Sequence, residues 1–390
     1  MRRAILFLAT ALAGPALAQS PPVVADTAAG VSLGTTVTQA GQMFTIDGGT
    51  RAGGNLFHSF NRFGLDTGQT ARWTANDAAS VRHVINRVSG GQESRILGTI
   101  DSRALPNADF WLINPAGIVF GAGARLDVPA SAHFATASDL RLADGARFAI
   151  ATPGGSTLSV AAPESFGFVG GQGSITISAG RQSFAPSAPR LTFAASDIRI
   201  TDSNLSVGGL DLTAVGAGSA SVSLADPLAG SHTGAIEVRD GSLVTAAADT
   251  ALGPFRFSAG VIDFENARIT SDTAGAAIGS DILFRADRIR LGRDSFLFTS
   301  ARGAGAGGRV ELAGRELVVD ATGTTTFSAG VGSSGTGSGA AGDVRLIADD
   351  VRLGGGAFVG STVSGSADAG DVLIEAKNLI VDSAVINSAA

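Results

Sequence analysis

The sequence predicts an all-β protein folded as a right-handed parallel β-helix, a single-stranded β-solenoid, with a cap at its N-terminus. Apolar residues alternate in short runs, five apolar positions recur in a fixed register, and glycine-rich stretches separate the runs. The chain has 390 residues, of which 54 are glycine and 44% are hydrophobic. It is therefore too apolar for a disordered chain, and its glycines lack the period of three that collagen requires.

The N-terminal segment 1–18 has the pattern of an export signal. Two arginines precede an apolar run, and a small-residue cleavage site of the A-x-A kind follows it. We expect cleavage between Ala18 and Gln19. The apolar run is too short to span a bilayer, and no later segment is long and apolar enough to predict an integral membrane helix.

The sequence divides into a predicted N-terminal domain at 19–165 and predicted β-helical repeats at 166–390. Residues 19–100 follow the repeat register poorly, so we expect irregular cap strands there. The phenylalanines of "FHSFNRF" (57–63) are predicted to pack in the core of this cap. The last repeat stops within a coil at Ala390, which indicates either a short protein or a fragment of a longer one.

An Asn-Pro pair interrupts the most apolar stretch of the chain, "FWLINPAGIVF". Asn114, Pro115 and Gly117 fit the first, second and fourth positions of a type I turn. Proline has no backbone N–H and so ends the strand at 110–113. A second strand is predicted to begin at Ile118, which lets the chain change direction while both apolar segments stay buried.

The repeat register places apolar residues at offsets 0, 2, 4, 7 and 9 of each unit. Units begin at Leu191, Phe255, Ile282, Val310, Val344 and Val372. Offsets 0 to 4 fit one strand, the skip of three fits a corner at Ala or Gly, and offsets 7 and 9 start a second strand facing the same interior. The interval between Leu191 and Phe255 is twice as long as the others and leaves room for one blurred unit. This period predicts stacked coils that bury one another.

A third alternating piece, such as Phe296 with Phe298, completes three strands per coil, all with their apolar residues predicted to face inward. Glycine-rich stretches at 303–308 and 332–342 are predicted to close the coils. A β-sandwich of hairpins is the alternative, but sandwiches do not keep a fixed five-position register.

Composition limits the chemistry that the chain can perform. Its net charge of −6 and the absence of a basic cluster argue against a nucleic-acid partner. It has no cysteine, and its four histidines are scattered without metal-ligand spacing. Asp349 and Asp350 fall at the predicted corner and indicate a turn. We therefore predict no catalytic residue, metal or cofactor; a β-helical polysaccharide lyase or hydrolase is the alternative function.

Three stretches resemble a known family. They are "SLGTTVTQAGQMFTIDGGTRAGGNLFHSF" (32–60), "VINRVSGGQESRILGTI" (84–100) and "NPAGIVFGAGARLDV" (114–128). The third resembles the Asn-Pro-Asn-Gly-Ile signature of the filamentous-haemagglutinin-like secretion domain, which opens the exoproteins of two-partner secretion systems. The resemblance covers roughly residues 25–150.

The resemblance implies a secreted exoprotein of a Gram-negative bacterium. Its N-terminal domain would be recognised by the periplasmic domains of an outer-membrane β-barrel transporter, and the chain would fold outside the cell as an adhesin with a carbohydrate or protein receptor. Asn114, Pro115, Gly117 and Ile118 would form the secretion motif, acting through cap geometry or direct transporter contact. Ala116 replaces the second Asn of the signature. The upstream Asn-Pro-Asn-Leu motif has no counterpart, because the closest place, around Asn76, lacks the proline.

Overall fold

A computed structural model describes residues 22–184, 189–247, 253–323 and 329–390. The predicted signal peptide and the cleavage site at Ala18 and Gln19 lie outside these residues. Apart from two 3₁₀ turns, Ala78–Ser80 and Pro153–Gly155, the regular structure in the described ranges is all β. Within the same ranges no helix has the length and apolarity needed to cross a bilayer.

The first half of the chain contains strands β1 (Val23–Ala25), β2 (Thr35–Ala40), β3 (Met43–Gly48), β4 (Thr50–Ala52), β5 (Asn55–Phe63), β6 (Thr70–Trp73), β7 (His83–Val88), β8 (Ser94–Ile96), β9 (Thr99–Asp101), β10 (Asp109–Ile113), β11 (Ile118–Phe120), β12 (Arg125–Asp127), β13 (Ala132–Ala135), β14 (Asp139–Leu142), β15 (Arg147–Ala149), β16 (Pro163–Val169), β17 (Ile175–Ile177) and β18 (Gly180–Ser183). The second half contains β19 (Leu191–Ala195), β20 (Ile198–Thr201), β21 (Ser203–Ser206), β22 (Leu210–Ala214), β23 (Ser219–Ser223), β24 (Ala235–Ala247), β25 (Phe255–Thr273), β26 (Ile282–Leu291), β27 (Ser295–Ala301), β28 (Val310–Asp320), β29 (Ala329–Gly335), β30 (Val344–Gly354), β31 (Phe358–Val363), β32 (Val372–Asp382) and β33 (Val385–Ala389).

The strands form a parallel β-helix, as the sequence predicts. Each coil contributes a segment to each of three faces, and each segment pairs in parallel with its counterpart in the next coil. In the later coils one continuous strand, such as β26, supplies the first two faces, so the two strands predicted for offsets 0 to 4 and 7 to 9 are joined there. One inward column on the first face shows the stacking from end to end. It runs through Leu56, Val84, Phe110, Ala132, Leu191, Leu210, Phe255, Ile282, Val310, Val344 and Val372. Such columns bury the apolar residues of one coil against those of its neighbours.

The predicted register is confirmed in the later coils. Ile262 pairs with Ile289 at offset 7, as Phe255 does with Ile282 at offset 0. The small residue at offset 4 has a steric reason, because a Cβ on Gly314 would lie 2.2 Å from the carbonyl oxygen of the residue before it in the stack. Larger side chains at this corner would push the coils apart.

The coils begin earlier than the sequence analysis predicted. Residues 19–100 were expected to form irregular cap strands, yet β5 and β7 already belong to the parallel stack. The cap is limited to β1 and β4, which pair antiparallel with β5, and to the β2–β3 hairpin, which covers β6. A bulge at Asn61 obscures the register in the sequence. Because of the bulge, Phe60 and Phe63 both face inward although they are three residues apart, which breaks the alternation of a regular strand.

The blurred unit between Leu191 and Phe255 begins at Leu210. Its strand β22 is followed by an excursion that contains β23. An earlier excursion contains β14, β15 and β16, and β16 pairs antiparallel with β23. Together these four strands form a separate sheet that covers part of the outside of the first face. The excursions lengthen the affected coils and so obscure the period in the sequence.

The prediction that Phe296 and Phe298 face inward was wrong, because the inward and outward positions of this strand are the opposite of those predicted. The inward positions of β27 are Ser295, Leu297 and Thr299, and both phenylalanines are half-buried on the outer surface. The ring of Phe298 lies over Gly332 of the next coil, where a Cβ would be 2.5 Å from the ring. In this strand the aromatic rings thus lie outside, and the inward positions hold a leucine between two small polar residues.

Candidate functional site

The Asn-Pro motif forms a buried corner between β10 and β11. The Asn114 side chain is fully buried, and its amide nitrogen donates hydrogen bonds to the Gln92 carbonyl oxygen at 2.8 Å and to Ser94 Oγ at 2.9 Å. Its own oxygen accepts from the Ala116 backbone N–H at 3.0 Å. Asn114 therefore satisfies its own turn and also fixes the corresponding corner of the preceding coil.

The predicted turn is present. The Gly117 N–H donates to the Asn114 carbonyl oxygen at 3.1 Å, and Gly117 has a φ of +121°. A Cβ at this position would strain the backbone and lie 3.3 Å from the Ser174 carbonyl oxygen. On the other side, the Ser94 N–H donates to the Gly117 carbonyl oxygen at 3.0 Å. The corner is thus in contact with the coils both before and after it.

The motif offers little surface for direct contact in the folded protein. Asn114, Gly117 and Ile118 are buried, whereas Pro115 and Ala116 are half-exposed. The Pro115 carbonyl oxygen accepts from the Gly173 N–H at 2.8 Å. The structure therefore keeps the four predicted motif residues together, but as a packed corner rather than a protruding epitope.

A groove of 590 Å³ lies beside this corner, and sequence reasoning missed it. Its charged lining consists of Arg62, Asp66, Glu93 and Arg95, with three glutamines between them. The four charged residues come from two successive coils and become neighbours only through the stacking, and one of the glutamines, Gln39, comes from the β2–β3 hairpin. Gln92, whose carbonyl oxygen Asn114 holds, lies on the groove wall. The only signal in the sequence is the quoted stretch 84–100, which includes this wall.

A buried arginine ties the N-terminal domain to the excursion. Arg87 is 1% exposed, and its guanidinium donates to the carbonyl oxygens of Val31, Ala149 and Pro153 and to the hydroxyls of Ser59 and Ser156. Burial lowers the pKa of Arg87 to about 10, and the nearby Asp26 carboxylate opposes that shift. The group stays charged at neutral pH and cross-links three segments of backbone.

Two of the scattered histidines meet at Trp111 on the outer side of the first face. The His133 ring stacks on Trp111 with centroids 3.8 Å apart, and His83 lies edge-on at 6.1 Å. Burial lowers the pKa of His133 to about 3, with smaller contributions from His83 and Arg190. Within the described part of the chain no group of three or more His, Asp or Glu residues could hold a metal ion.

The aspartate pair at the predicted corner contacts the next coil. Asp349 forms an ion pair with Lys377 at 2.8 Å, and Asp350 accepts a hydrogen bond from Asn378 at 2.7 Å. Both carboxylates lie within the continuous strand β30. They bridge coils along the stack, which is a sufficient structural role for each.

Comparisons with known proteins agree with this geometry. The family model of the TPS secretion domain matches residues 23–253. Among solved structures the chain is similar to the crystal structure of the HMW1 secretion domain from Haemophilus influenzae. That similarity has a TM-score of 0.59 and 16% identity, and it covers 94% of this chain and 97% of the other. A search of curated proteins gave no significant match.

The HMW1 similarity establishes the fold, and the family match establishes the relationship. The match includes the Asn114 corner, the groove and both excursions. It runs beyond the predicted boundary at residue 165, a position that lies within β16. The chain therefore belongs to the TPS secretion domain family, the N-terminal domains of two-partner secretion exoproteins, whose members leave Gram-negative cells through an outer-membrane transporter.

Proposed function

We propose that this chain is recognised through its N-terminal domain by the periplasmic domains of a dedicated outer-membrane β-barrel transporter. Cleavage between Ala18 and Gln19 would release the signal peptide, and residues 19–165 would carry the recognition. The hydrogen-bonded corner at Asn114 is the observation that supports this proposal most directly. In our proposal, Asn114, Pro115, Gly117 and Ile118 act by shaping the surface around them.

We further propose that the exported chain is an adhesin at the cell surface or in the medium, with residues 166–390 as its β-helical passenger. Family membership supports an exoprotein rather than an enzyme. The outer faces of a stacked helix provide an extended surface of the kind that repeat proteins use for binding. Its receptor would be a carbohydrate or protein on a host cell or another surface.

Secretion assays test the recognition step. The chain is produced with its transporter, and its amounts in periplasm and medium are compared for Asn114→Ala and for Asn107→Ala. The control removes an exposed asparagine whose side chain makes a 3.2 Å bond to the Ala79 carbonyl oxygen. We expect Asn114→Ala to accumulate in the periplasm and Asn107→Ala to be secreted normally. Equal secretion of both variants would refute the role of the motif.

Adhesion is tested separately from export. Purified chain comprising residues 19–390 is added to epithelial cells, and bound protein is measured with and without excess unlabelled chain. Saturable binding that unlabelled chain displaces is expected. Binding no greater than that of a non-adhesive β-helix of similar size would contradict the adhesin proposal, while leaving the secretion proposal intact.

A further inference from the structure

Strand β2 presents an open edge at the N-terminal end of the molecule. Within the described residues it pairs only with β3, and Thr36, Thr38, Gln39 and Ala40 are exposed. Exposed edges are commonly protected by charged residues or proline, because unpaired backbone groups attract another strand. The sequence of β2, TTVTQA, contains neither. It is also rich in β-branched residues, which favour strand pairing.

The hydrogen-bonding pattern identifies which backbone groups face outward. A two-residue turn joins β2 to β3 and places Ala40 opposite Met43. In a hairpin of this kind the pair that closes the turn is hydrogen-bonded, and bonded and non-bonded pairs then alternate. Val37 and Gln39 consequently direct their N–H and C=O groups away from β3. Within the described residues no backbone hydrogen bond is made to these groups, so they can pair with an added strand.

The groove described above continues from this edge. Gln39 of β2 lines it together with Arg62, Asp66, Glu93 and Arg95. In the described structure these four charged residues form no ion pair with one another or with other residues, although most arginines along the coils pair with a carboxylate. Arg62 Nε is buried without a hydrogen-bond partner among the described atoms. An unpaired, partly buried guanidinium carries a desolvation cost that a bound acceptor would relieve.

The secretion motif sets the shape of this groove without entering it. Asn114 fixes the Gln92 carbonyl oxygen on the groove wall, and Glu93 Cγ lies 3.6 Å from the position that a Cβ of Gly117 would occupy. The same corner therefore positions two residues of the groove. A buried motif can in this way control an exposed surface.

We propose that the β2 edge and the adjoining groove form the docking surface for the transporter's periplasmic domain. An extended strand of that domain adds to β2, and polar side chains of the domain enter the groove and pair with Arg62 and Arg95. The surface lies within the residues that the family model matches, and the motif corner supports it. This inference rests on the proposed function, since it names the surface through which recognition occurs.

Site-specific crosslinking locates the contact. Because the chain has no cysteine, Gln92→Cys in the groove and Ser364→Cys on a distant coil each provide one thiol for a benzophenone label. Each labelled chain is irradiated with the purified transporter, and crosslinked peptides are identified by mass spectrometry. We expect crosslinks from position 92 to the periplasmic domain and none from position 364. Crosslinks equal at both positions, or absent from position 92, would overturn the proposal.

Two variants test the docking surface, one at its edge and one at its groove cations. Gln39→Pro removes an outward N–H while leaving the β2–β3 hydrogen bonds in place. The double variant Arg62→Ala, Arg95→Ala removes the groove cations, with Arg268→Ala, Arg315→Ala as the control for two arginines elsewhere. We expect transporter affinity to fall at least tenfold in the first two proteins and to stay unchanged in the control, with unfolding midpoints confirming that each is folded. If Gln39→Pro does not fold, the arginine variant still decides the question.

Three outcomes separate this inference from the function on which it rests. If the edge and groove variants bind the transporter normally while Asn114→Ala blocks secretion, the docking surface is wrong and the proposed function stands. If secretion of the unaltered chain does not depend on the transporter, both fail. If Gln39→Pro abolishes only a self-association of the chain, seen by sedimentation, the edge serves a second copy and the docking proposal is refuted.

Discussion

Replacing Asn114 with alanine should destabilise the folded chain far more than an average surface substitution. The change removes two donated hydrogen bonds and one accepted bond of a fully buried side chain. The Gln92 carbonyl oxygen and the Ala116 N–H lose their partners, whereas the Ser94 hydroxyl can rotate. With two groups left unsatisfied at roughly 1–3 kcal/mol each, we expect a loss of about 3 kcal/mol in the free energy of unfolding.

Urea unfolding followed by tryptophan fluorescence provides the assay. Trp73 and Trp111 are both buried, so unfolding changes the environment of each. Asn107→Ala is the matched control, and its exposed bond predicts a change below about 0.5 kcal/mol. If Asn114→Ala loses no more stability than this control does, the argument that the corner depends on the Asn114 side chain is refuted.

An aspartate at position 114 tests the loss of hydrogen-bond donation without a large change in side-chain size. The carboxylate of Asn114→Asp still accepts from the Ala116 N–H but cannot donate to Gln92, and a buried charge faces a carbonyl oxygen. At neutral pH we expect it to be at least as destabilising as alanine. Acidification protonates the aspartate, which can then donate a hydrogen bond. The free energy of unfolding of Asn114→Asp should therefore rise relative to that of Asn114→Ala as pH falls. A pH-independent difference would contradict this account.

Three further predictions concern the stack and its buried charges. Burial lowers the pKa values of His58 and His133 to about 3. Below pH 6.5 the unfolded chain therefore binds more protons than the folded chain does. The free energy of unfolding should fall by about 2 kcal/mol per histidine between pH 7.5 and 5, as measured by urea midpoints. A Cβ at Gly305 would lie 1.9 Å from the Ala277 carbonyl oxygen, so Gly305→Ala should lower the melting temperature by several degrees, and no change would show that the coils can separate freely. Arg87→Met removes five hydrogen bonds from a buried network and should cost about 3–5 kcal/mol in an unfolding titration.

The later coils were predictable because their register is visible in the residues themselves. Between Phe255 and Val372 three of the four coils are 27 or 28 residues long and the fourth is 34, and the strand portion of each keeps the same offsets, so apolar residues that stack in space also align in sequence. The first coils obey the same stacking, with Leu56 over Val84 and Val84 over Phe110. Their register was obscured because a bulge and long excursions change the spacing between coils. Stacking is a property of strand pairing, and sequence spacing reports it only when the connections are uniform.

The third face shows a second limit of sequence patterning. In β27 both the inward and the outward positions hold plausible core residues, because phenylalanine alternates with serine, leucine and threonine. Hydrophobicity alone favours the phenylalanines as the buried set. The glycines of the next coil decide the phase, since Gly332 leaves room for the ring of Phe298 on the outside. That information lies a full coil further along the chain and becomes relevant only after the pairing of β27 with β29 is known.

The candidate site was likewise only partly predictable from the sequence. The Asn-Pro turn is local, so the sequence predicts the turn itself, and the structure contains it. The side-chain bonds from Asn114 reach Gln92 and Ser94 in the preceding coil, and no local pattern indicates them. The motif is therefore recognisable in the sequence as a turn, whereas its effect depends on the preceding coil.

The burial of the motif has a consequence for how recognition and folding are connected. Asn114 holds Gln92 only when the corners of two successive coils are stacked, so the groove exists only in a chain that has formed those coils. The cap is joined to the first of them, because β1 and β4 pair with β5. A surface assembled in this way would distinguish a chain with a folded N-terminal domain from an unfolded one. Loss of Asn114 should then impair stability and transporter affinity together, whereas Gln39→Pro should impair affinity alone.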